Sequence, residues 1–336
     1  MKYRFAALLS VMTAITSTSV LAFQQDENRY AVPASATAQD FIAVFKELNG
    51  EHPGVRKGHA RGICAAGVFT PTDEAQKRFA SPLFDNMSLP VTVRFSMGGG
   101  NPEADERKGP RGIGIQFDLA NNQKHTLAGL TSPLFSGSTP NHFLGLLQWN
   151  VKLMRGEATR ENLEKYFQAN PSMLRSIEWN KGRTPSAEYT STDYYGIHAF
   201  WANTNDQQRE KFRWQLVPEG GHEYLTEHDI ESLPSSFLVE RLKKRLEQDG
   251  EISFTWQWTI GQENDPTNDP STLWPDDREK VNVGRVTITQ VGGDACTPIN
   301  FDPNRVAKGI QPSDDPVLPI RSAAYAISFG KRLSNL

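Results

Sequence analysis

Three residues near the C-terminal end of the chain could carry out chemistry from one face of a helix. The stretch PIRSAAYAISFGKRL, residues 319–333, places Tyr325 four residues after Arg321 and seven before Arg332. Side chains at these offsets stack on one helical face, so a phenol would lie between two guanidinium groups. A nearby arginine favours an ionised phenol, and a metal ion favours it more strongly. Taken alone, the stretch also fits a surface helix with solvated arginines and a packed tyrosine.

Two stretches in the N-terminal third bring further polar residues together. VRKGHARG has Arg56 three residues before His59, and VTVRFS has Arg94 and Ser96. Alternation along a strand sends Arg94 and Ser96 to one face, opposite the apolar side chains. Taken alone, such a histidine is typical of a packed or surface residue. Such a polar pair is typical of the wet face of a half-buried strand.

Two later stretches add candidates of the same weak kind. The loop TSPLFSGSTPNHF, bent by proline and glycine, contains Thr131 and Phe143, and DYYGIHAFW contains His198. Neither stretch on its own predicts a site.

The elements that must position these residues are mostly strands. Alternating apolar residues predict five of them, in the stretches PVTVRFS, GIGIQFDL, KFRWQLV, EISFTWQWTI and NVGRVTITQV. These strands come in blocks separated by helical insertions, without the regular alternation of strand and helix that a parallel α/β fold shows. The pattern therefore favours an antiparallel sheet or barrel with helices to one side.

Helices are predicted in three segments. Residues 37–49 begin with a capping box, Thr37 and Asp40, and Gly50 follows as a stop. The other two helices are predicted over 159–178 and 235–248. The Asn-, Asp- and Pro-rich residues 263–277 are predicted to form a long surface loop rather than a domain linker.

The N-terminus and the composition restrict the class of protein. Residues 1–22 combine Lys2 and Arg4 with an apolar stretch and small residues before position 23, as in a secretory signal peptide. One domain, residues 23–336, is expected to follow, exported and periplasmic. A formal net charge of −3 without a basic tract argues against nucleic acid and anionic membrane as partners. Two cysteines, Cys64 and Cys296, permit one disulfide in an oxidising compartment, but the sequence leaves their pairing open.

In combination, these motifs resemble the haem-containing catalase family, and they recur in the same order over about residues 24–332. The family places an arginine three residues before its distal histidine, then has an Arg-Phe-Ser strand and a Tyr-Gly-x-His motif. Near its C-terminus it has an Asp, an Arg six later, a Tyr four after that and another Arg seven beyond. The matching residues in this chain are Arg56, His59, Arg94, Ser96, His198, Asp315, Arg321, Tyr325 and Arg332.

The resemblance implies a role for each residue on the iron side of a haem. Tyr325 would ligate ferric iron as a phenolate, with Arg321 favouring its ionised form. Asp315 and His198 would hold Arg321 in place.

The resemblance also implies roles around the rest of the haem. Arg56, Arg94 and Arg332 would pair with the two propionates. His59 would take a proton from peroxide and return it to the departing oxygen. The remaining three residues would assist. Ser96 would orient the His59 ring, Phe143 would keep the pocket narrow, and Thr131 stands where large catalases have an asparagine.

The fold and activity implied are those of a small catalase-related peroxidase, because the chain ends shortly after the proximal helix. The expected fold is α+β, a single-domain, eight-stranded antiparallel β-barrel with helical insertions and haem b at its mouth. The expected reaction reduces hydrogen peroxide or organic hydroperoxides with a small organic donor. Weak catalase activity is expected beside it, in a monomer or homodimer. The alternatives are a lipid-hydroperoxide isomerase of the allene oxide synthase type and a haem-binding protein without turnover. The last is the weakest because it needs neither His59 nor Ser96.

Overall fold

The computed structural model describes residues 29–335, and within them eight α-helices surround a ten-stranded antiparallel sheet. The predicted signal peptide, residues 1–22, lies outside the described residues. The helices are α1 (Ala38–Asn49), α2 (Asp73–Arg78), α3 (Pro140–Met154), α4 (Arg160–Ala169), α5 (Leu174–Asn180), α6 (Glu227–Ser232), α7 (Leu238–Asp249) and α8 (Val317–Leu333). The strands are β1 (Gly62–Pro71), β2 (Leu89–Met97), β3 (Arg111–Asp118), β4 (Lys124–Leu130), β5 (Tyr194–Tyr195), β6 (Phe200–Asn203), β7 (Arg209–Pro218), β8 (Ile252–Ile260), β9 (Lys280–Val291) and β10 (Ile310–Pro312).

Eight of the strands close into a barrel. They follow the order β7-β5-β4-β3-β2-β1-β9-β8, and β8 returns to pair with β7. Strands β6 and β10 extend the sheet from β7 outside this ring. Every pairing is antiparallel, so the prediction of an α+β fold built on an eight-stranded antiparallel barrel is confirmed.

Large aromatic side chains fill the inside of the barrel. Among the fully buried residues are Phe69, Phe117, Trp256 and Trp258, whose rings contact one another edge to face or tilted. A well-packed apolar interior of this kind is the main source of stability in a domain of this size.

The outer face of β2 is buried, in contrast to the wet face that its polar pair alone would suggest. Its polar residues, Arg94 and Ser96, are almost as buried as the apolar residues that face the barrel core. The reason is that α1, α3 and α8 lie over this part of the barrel, where their side chains and those of β2, β3 and β4 line a common cavity. Helix α1 packs against both α3 and α8.

The predicted helices are only partly confirmed. Helix α1 has the predicted capping box, in which the Thr37 hydroxyl accepts from the Asp40 N–H while the Asp40 carboxylate accepts from the Thr37 N–H. The single helix expected over 159–178 is broken instead, because Pro171 has no N–H to donate and disfavours a helical conformation at the preceding Asn170.

Residues 263–277 form no helix or strand, as predicted, but they are more than a surface loop. The side chains of Asp265, Ser271 and Trp274 are buried. Two cations of β7, Lys211 and Arg213, donate hydrogen bonds to main-chain carbonyls of this segment. The segment therefore covers one side of β7.

Two further observations answer questions that the sequence raises. A disulfide joins Cys64 on β1 to Cys296, which follows β9, with 5.3 Å between the two Cα atoms. Within residues 29–335, no helix combines the length and the apolar character that crossing a membrane requires.

Candidate active site

A cavity of about 320 Å³ lies between the barrel wall and helices α1, α3 and α8. Its lining is mainly apolar, with the polar groups concentrated in the residues that the sequence singled out. The predicted site residues that line it are Arg56, His59, Arg94, Ser96, Phe143, Arg321, Tyr325 and Arg332. His198 and Asp315 lie behind Arg321, so ten of the eleven predicted residues form one cluster.

Four residues form a continuous hydrogen-bond chain that ends at the tyrosine; we call them the tyrosine relay. The His198 Nδ1 lies 2.6 Å from the Asp315 Oδ2, and its Nε2 lies 2.8 Å from the Arg321 Nη1. The Arg321 Nη2 donates to the Tyr325 hydroxyl oxygen at 2.6 Å. The relay therefore directs one guanidinium N–H at the phenol oxygen.

The helix and the residues before it explain why the relay forms. Arg321 and Tyr325 are four residues apart on α8, so their side chains share one face. Asp315 lies just before α8, where its Oδ1 accepts the Val317 N–H at 2.8 Å. A carboxylate at this position is favoured by the unpaired N–H groups of a helix start.

The protonation state of His198 follows from its surroundings. Burial lowers the pKa of His198 to about 4, and the nearby Arg321 charge adds to the effect, while the Asp315 carboxylate opposes it. A neutral imidazole has one N–H and one lone pair. Since Arg321 can only donate, Nε2 must accept, and the Nδ1–H donates to Asp315. Arg321 therefore donates to both of its neighbours in the relay, the Tyr325 oxygen and the His198 Nε2, and His198 donates onward to Asp315.

His59 also lines the cavity, and its ring is held by Ser96. The His59 Nδ1 is 3.0 Å from the Ser96 Oγ, and the Ser96 hydroxyl is oriented towards the Gly112 carbonyl at 3.4 Å. With that hydroxyl proton directed at Gly112, Ser96 accepts the Nδ1–H, which leaves the Nε2 lone pair available as a base. The ring packs directly on β3, where a Cβ at Gly112 would come within 2.5 Å of it.

His59 is neutral at pH 7 for a related reason. Burial lowers the pKa of His59 to about 4, and the charges of Arg94, Arg321 and Arg56 add to the effect. Its backbone is held in an uncommon conformation, with φ of 52°. Arg94 supports this conformation, because its guanidinium donates to the main-chain oxygens of His59 and Ala60 at 2.8 and 3.0 Å.

Three arginines at the cavity, Arg56, Arg94 and Arg332, form a group that we call the arginine cluster. None of them forms an ion pair with an Asp or Glu of residues 29–335. Burial lowers the pKa of Arg56 to about 9 and that of Arg94 to about 10, and repulsion between the guanidinium groups contributes to both shifts. The Arg332 Nη2 is buried and has no hydrogen-bond partner in the described chain.

These observations test whether a haem fits the cavity. Burying unpaired cations side by side is costly, and an apolar ligand that carries carboxylates would offset that cost. Aromatic rings cover much of the remaining wall. The Phe143 ring lies 5.8 Å from that of Phe41 and 4.7 Å from that of Phe135. A flat apolar macrocycle with two carboxylates matches both parts of this lining.

The structure does not place Thr131 on the cavity wall. It follows β4 directly after the lining residue Leu130, and its hydroxyl oxygen accepts the Arg111 N–H at 3.2 Å. The predicted place of Thr131 beside His59 therefore stays a prediction that the geometry does not support.

Sequence reasoning missed several residues that line the cavity or support its lining. Gly112 and Gly114 allow close packing on β3, by His59 and Phe301 respectively. The repeated glycines of GIGI were a usable signal, because a glycine inside a strand often marks a close approach. Asn300 and Phe301 also line the cavity, but they lie in an irregular segment with no pattern that could reveal them.

The cavity of this antiparallel barrel combines a tyrosine tied to arginine, a neutral histidine base and cations for carboxylates, which are the groups expected of a haem-binding oxidoreductase. Comparison with known proteins gives the family. The sequence model of the family Catalase matches residues 21–335. A catalase-related peroxidase of Synechococcus elongatus is 36% identical over 305 residues, which are 89% of this chain and 90% of the relative. A catalase-related peroxidase of Mycolicibacterium paratuberculosis is also 36% identical, over 88% of this chain and 95% of the relative.

The chain belongs to the catalase family, as its motifs predict. It is an oxidoreductase that acts on peroxide, and the family implies a haem cofactor. The fold agrees, since a fungal catalase crystal structure superimposes with a TM-score of 0.72 at 18% identity. That comparison covers 99% of this chain and 66% of the fungal chain, so the chain spans about two thirds of that catalase.

Proposed function

We propose that the protein is a haem b peroxidase that reduces hydrogen peroxide with electrons from a small organic donor and has weak catalase activity. The observation that carries the proposal is the presence, in one cavity, of a tyrosine whose oxygen receives an arginine N–H and a neutral histidine with a free Nε2 lone pair. A haem carrier would need the first feature and not the second.

Different residues of the site would bind the iron and the carboxylates of the haem. Tyr325 would hold the iron through its oxygen, and the Arg321 N–H stabilises negative charge on that oxygen. Arg56, Arg94 and Arg332 would hold the two carboxylates. When bound, haem supplies the iron chemistry that splits the O–O bond of peroxide.

His59 would move the proton that this reaction requires. Its Nε2 would take a proton from one peroxide oxygen and deliver it to the other, which leaves as water. Because Ser96 fixes the ring, the same lone pair faces the cavity throughout. General acid–base catalysis of this kind contributes about 10² to 10⁴ in rate.

The preference for a donor other than peroxide is supported by the relatives. Both relatives at 36% identity, each matched over nearly its full length, are named catalase-related peroxidases. The cavity wall also offers aromatic surface from α1 and α3, including Phe41 and Phe143, on which a small phenolic or aromatic amine donor could pack.

The decisive experiment measures oxygen evolution and donor oxidation on one haem-loaded preparation, with hydrogen peroxide and a phenolic donor such as guaiacol. We expect steady donor oxidation and slow oxygen release. Rapid, sustained oxygen release without donor oxidation would make the protein a true catalase and reject the proposal. His59→Ala should retain haem and lose at least 100-fold in rate, whereas His222→Ala, at a half-exposed histidine, should retain the wild-type rate.

We propose further that the protein is exported to the periplasm, because residues 1–22 have the charge and apolar pattern of a signal peptide. Cell fractionation and N-terminal sequencing of the mature chain would test this. A mature chain that starts at Met1 in the cytoplasm would refute it.

A further inference from the structure

The Cys64–Cys296 disulfide lies next to a segment that the relay and the general-base chemistry do not use. Residues 292–305, which we call the tethered segment, follow β9 and contain no helix or strand. Some of its side chains are nevertheless packed inwards. Cys296 and Phe301 are 1% and 7% exposed, and with Cys64 they form a small apolar cluster outside the barrel core.

The tethered segment holds Arg56 of the arginine cluster. The Arg56 Nη2 donates to the carbonyl oxygens of Cys296, Thr297 and Ile299 at 3.0, 3.3 and 2.8 Å. The guanidinium also lies over the Phe301 ring, 5.7 Å from its centroid. Within residues 29–335, all hydrogen bonds of the Arg56 side chain go to this segment. The direction of the Arg56 charge therefore depends on where the segment lies.

The two ends of the segment are held in different ways. Its C-terminal end makes hydrogen bonds with the rest of the protein, because Thr126 donates to the Asp302 carbonyl and Ser322 of α8 donates to the Asp302 carboxylate. At its N-terminal end, Gly292 donates to the Cys64 carbonyl at 2.8 Å and Cys296 donates to the Cys64 Sγ at 3.2 Å. Both contacts are made to Cys64, so this end is fixed to β1 at the position of the disulfide.

We infer that the Cys64–Cys296 disulfide positions Arg56 to bind a haem carboxylate, so that cofactor retention depends on the oxidised state of this pair. The inference rests on the haem b site of the proposed function. Cleavage by a dithiol transfers two electrons and two protons to the disulfide, breaks the S–S bond and leaves two thiols, while the dithiol becomes a cyclic disulfide. The three carbonyls would then no longer be held covalently beside Arg56.

The first experiment compares the rate of haem release to a haem-scavenging protein in four proteins. They are the wild type, Arg56→Gln, and each of these two with both cysteines replaced by alanine. Cys64→Ala with Cys296→Ala is made both in the wild-type background and in an Arg56→Gln background. We expect removal of the disulfide to accelerate release about tenfold when Arg56 is present and less than twofold when it is absent. Such coupling shows that the disulfide and Arg56 act together in retaining haem. Equal acceleration in both backgrounds means that the disulfide acts only through general stability, which overturns the inference.

A control variant and a chemical alternative to mutation accompany this experiment. Val286→Ala weakens the barrel core on β9 without touching Arg56, and it should accelerate release equally with arginine or glutamine at position 56. If the double alanine variant does not fold, the folded wild-type protein is reduced with dithiothreitol and alkylated instead, and it must show the same tenfold effect. An unchanged release rate after reduction, verified by mass, also overturns the inference.

The second experiment uses haem-free protein and hydrogen exchange. Removing the disulfide should speed amide exchange at residues 293–300 and also at residues 54–58, where Arg56 lies. Val286→Ala should leave residues 54–58 unchanged. Faster exchange confined to 293–300 would show that the disulfide does not position Arg56. If wild-type protein binds no haem, the proposed function fails, while this exchange pattern still decides the positioning role.

Discussion

The tyrosine relay and the arginine cluster belong to one site but differ in how their charges are balanced. In the relay, each polar group has a partner within the chain, from the Asp315 carboxylate to the Tyr325 oxygen. Within residues 29–335, Arg56 and Arg94 of the cluster donate only to uncharged carbonyls, and the Arg332 Nη2 has no partner. The protein thus organises the relay by itself, whereas the cluster is complete only with an anionic ligand.

Removing the end of the relay should have the largest effect. Tyr325→Phe keeps the ring and deletes the oxygen that receives the Arg321 N–H. Changes in groups that merely support a metal ligand cost about 10- to 100-fold in affinity, so loss of the ligand itself should cost more than 100-fold. Haem titration followed by absorption would show it. Tyr195→Phe, which removes a tyrosine oxygen bonded to Asp193, is the control, and equal haem binding in both variants would contradict the assignment.

Removing the carboxylate at the other end of the relay should have the next largest effect. An amide at position 315 cannot accept both the His198 Nδ1–H and the Val317 N–H through equivalent oxygens. Asp315→Asn should therefore weaken haem binding about 10- to 100-fold and lower the free energy of unfolding of haem-free protein by about 1.5–3 kcal/mol. Urea unfolding and haem titration give the two values. Asp314→Asn, at the exposed neighbour, should change neither, and a harmless Asp315→Asn would show that the Asp315 carboxylate is not needed to hold His198.

Acid should break the relay while leaving the arginine cluster charged. The folded-state pKa of His198 is about 4, below its ordinary value of 6.5, so the stability tied to its neutral form is present above pH 6.5 and is lost as the pH falls towards 4. At pH 5 the loss from this one histidine is about 2 kcal/mol, at about 1.36 kcal/mol for each pH unit.

Urea unfolding of haem-free protein at pH 7 and pH 5 measures this loss. The neutral forms of His59, with a pKa of about 4, and of His125, with a pKa of about 3, also contribute to the free energy of unfolding, and their contributions are lost over the same pH range. A His198→Gln variant should therefore lose about 2 kcal/mol less than wild type between the two pH values. Identical losses would mean that His198 is not held neutral.

The arginine cluster should respond in the opposite sense to the relay. Arg332→Met removes a half-buried cation whose buried Nη2 has no hydrogen-bond partner among residues 29–335, so the free energy of unfolding of haem-free protein should stay the same or rise by less than about 1 kcal/mol. Haem release should nevertheless accelerate about tenfold, since a charge-assisted hydrogen bond contributes about 1.5 kcal/mol. Lys331→Met is the matched control. A marked loss of stability in the haem-free variant would show that Arg332 is already satisfied without a ligand.

The smallest effect is expected at Thr131. Because its hydroxyl oxygen accepts the Arg111 N–H away from the cavity lining, an asparagine there can accept the same N–H through its side-chain oxygen. Thr131→Asn should change the ratio of oxygen released to donor oxidised by less than twofold. A large rise in that ratio would place residue 131 beside His59 after all, as the sequence predicts.

The sequence predicted local relationships better than distant ones. The shared face of Arg321 and Tyr325 follows from helix geometry, and the capping box of α1 follows from two residues three apart. The contact of His198 with Asp315 joins residues far apart in the chain, and only the family resemblance pointed to it. No local pattern encodes such a contact, because it depends on how the barrel closes.

The same reasoning explains the failures. Residue 131 lies at the end of a strand, where a loop allows alternative alignments of the sequence, so its position could not be fixed from motif order. Alternation placed Arg94 and Ser96 on one face of β2 but could not show that this face is buried, because alternation reveals which residues share a face, not what covers that face. The carbonyls that hold Arg56 are main-chain groups and leave no trace in side-chain sequence.

Barrel closure also has a consequence for biosynthesis. Strand β1 pairs with β9 from the far end of the sequence, and the cavity takes His59 from before β1 and Tyr325 from after β9. A chain emerging from the ribosome therefore cannot bring His59 and Tyr325 together until almost the whole polypeptide has been made. Pairings between such distant segments also form slowly. Cofactor insertion must consequently be a late event, which follows completion of the polypeptide instead of guiding its early folding.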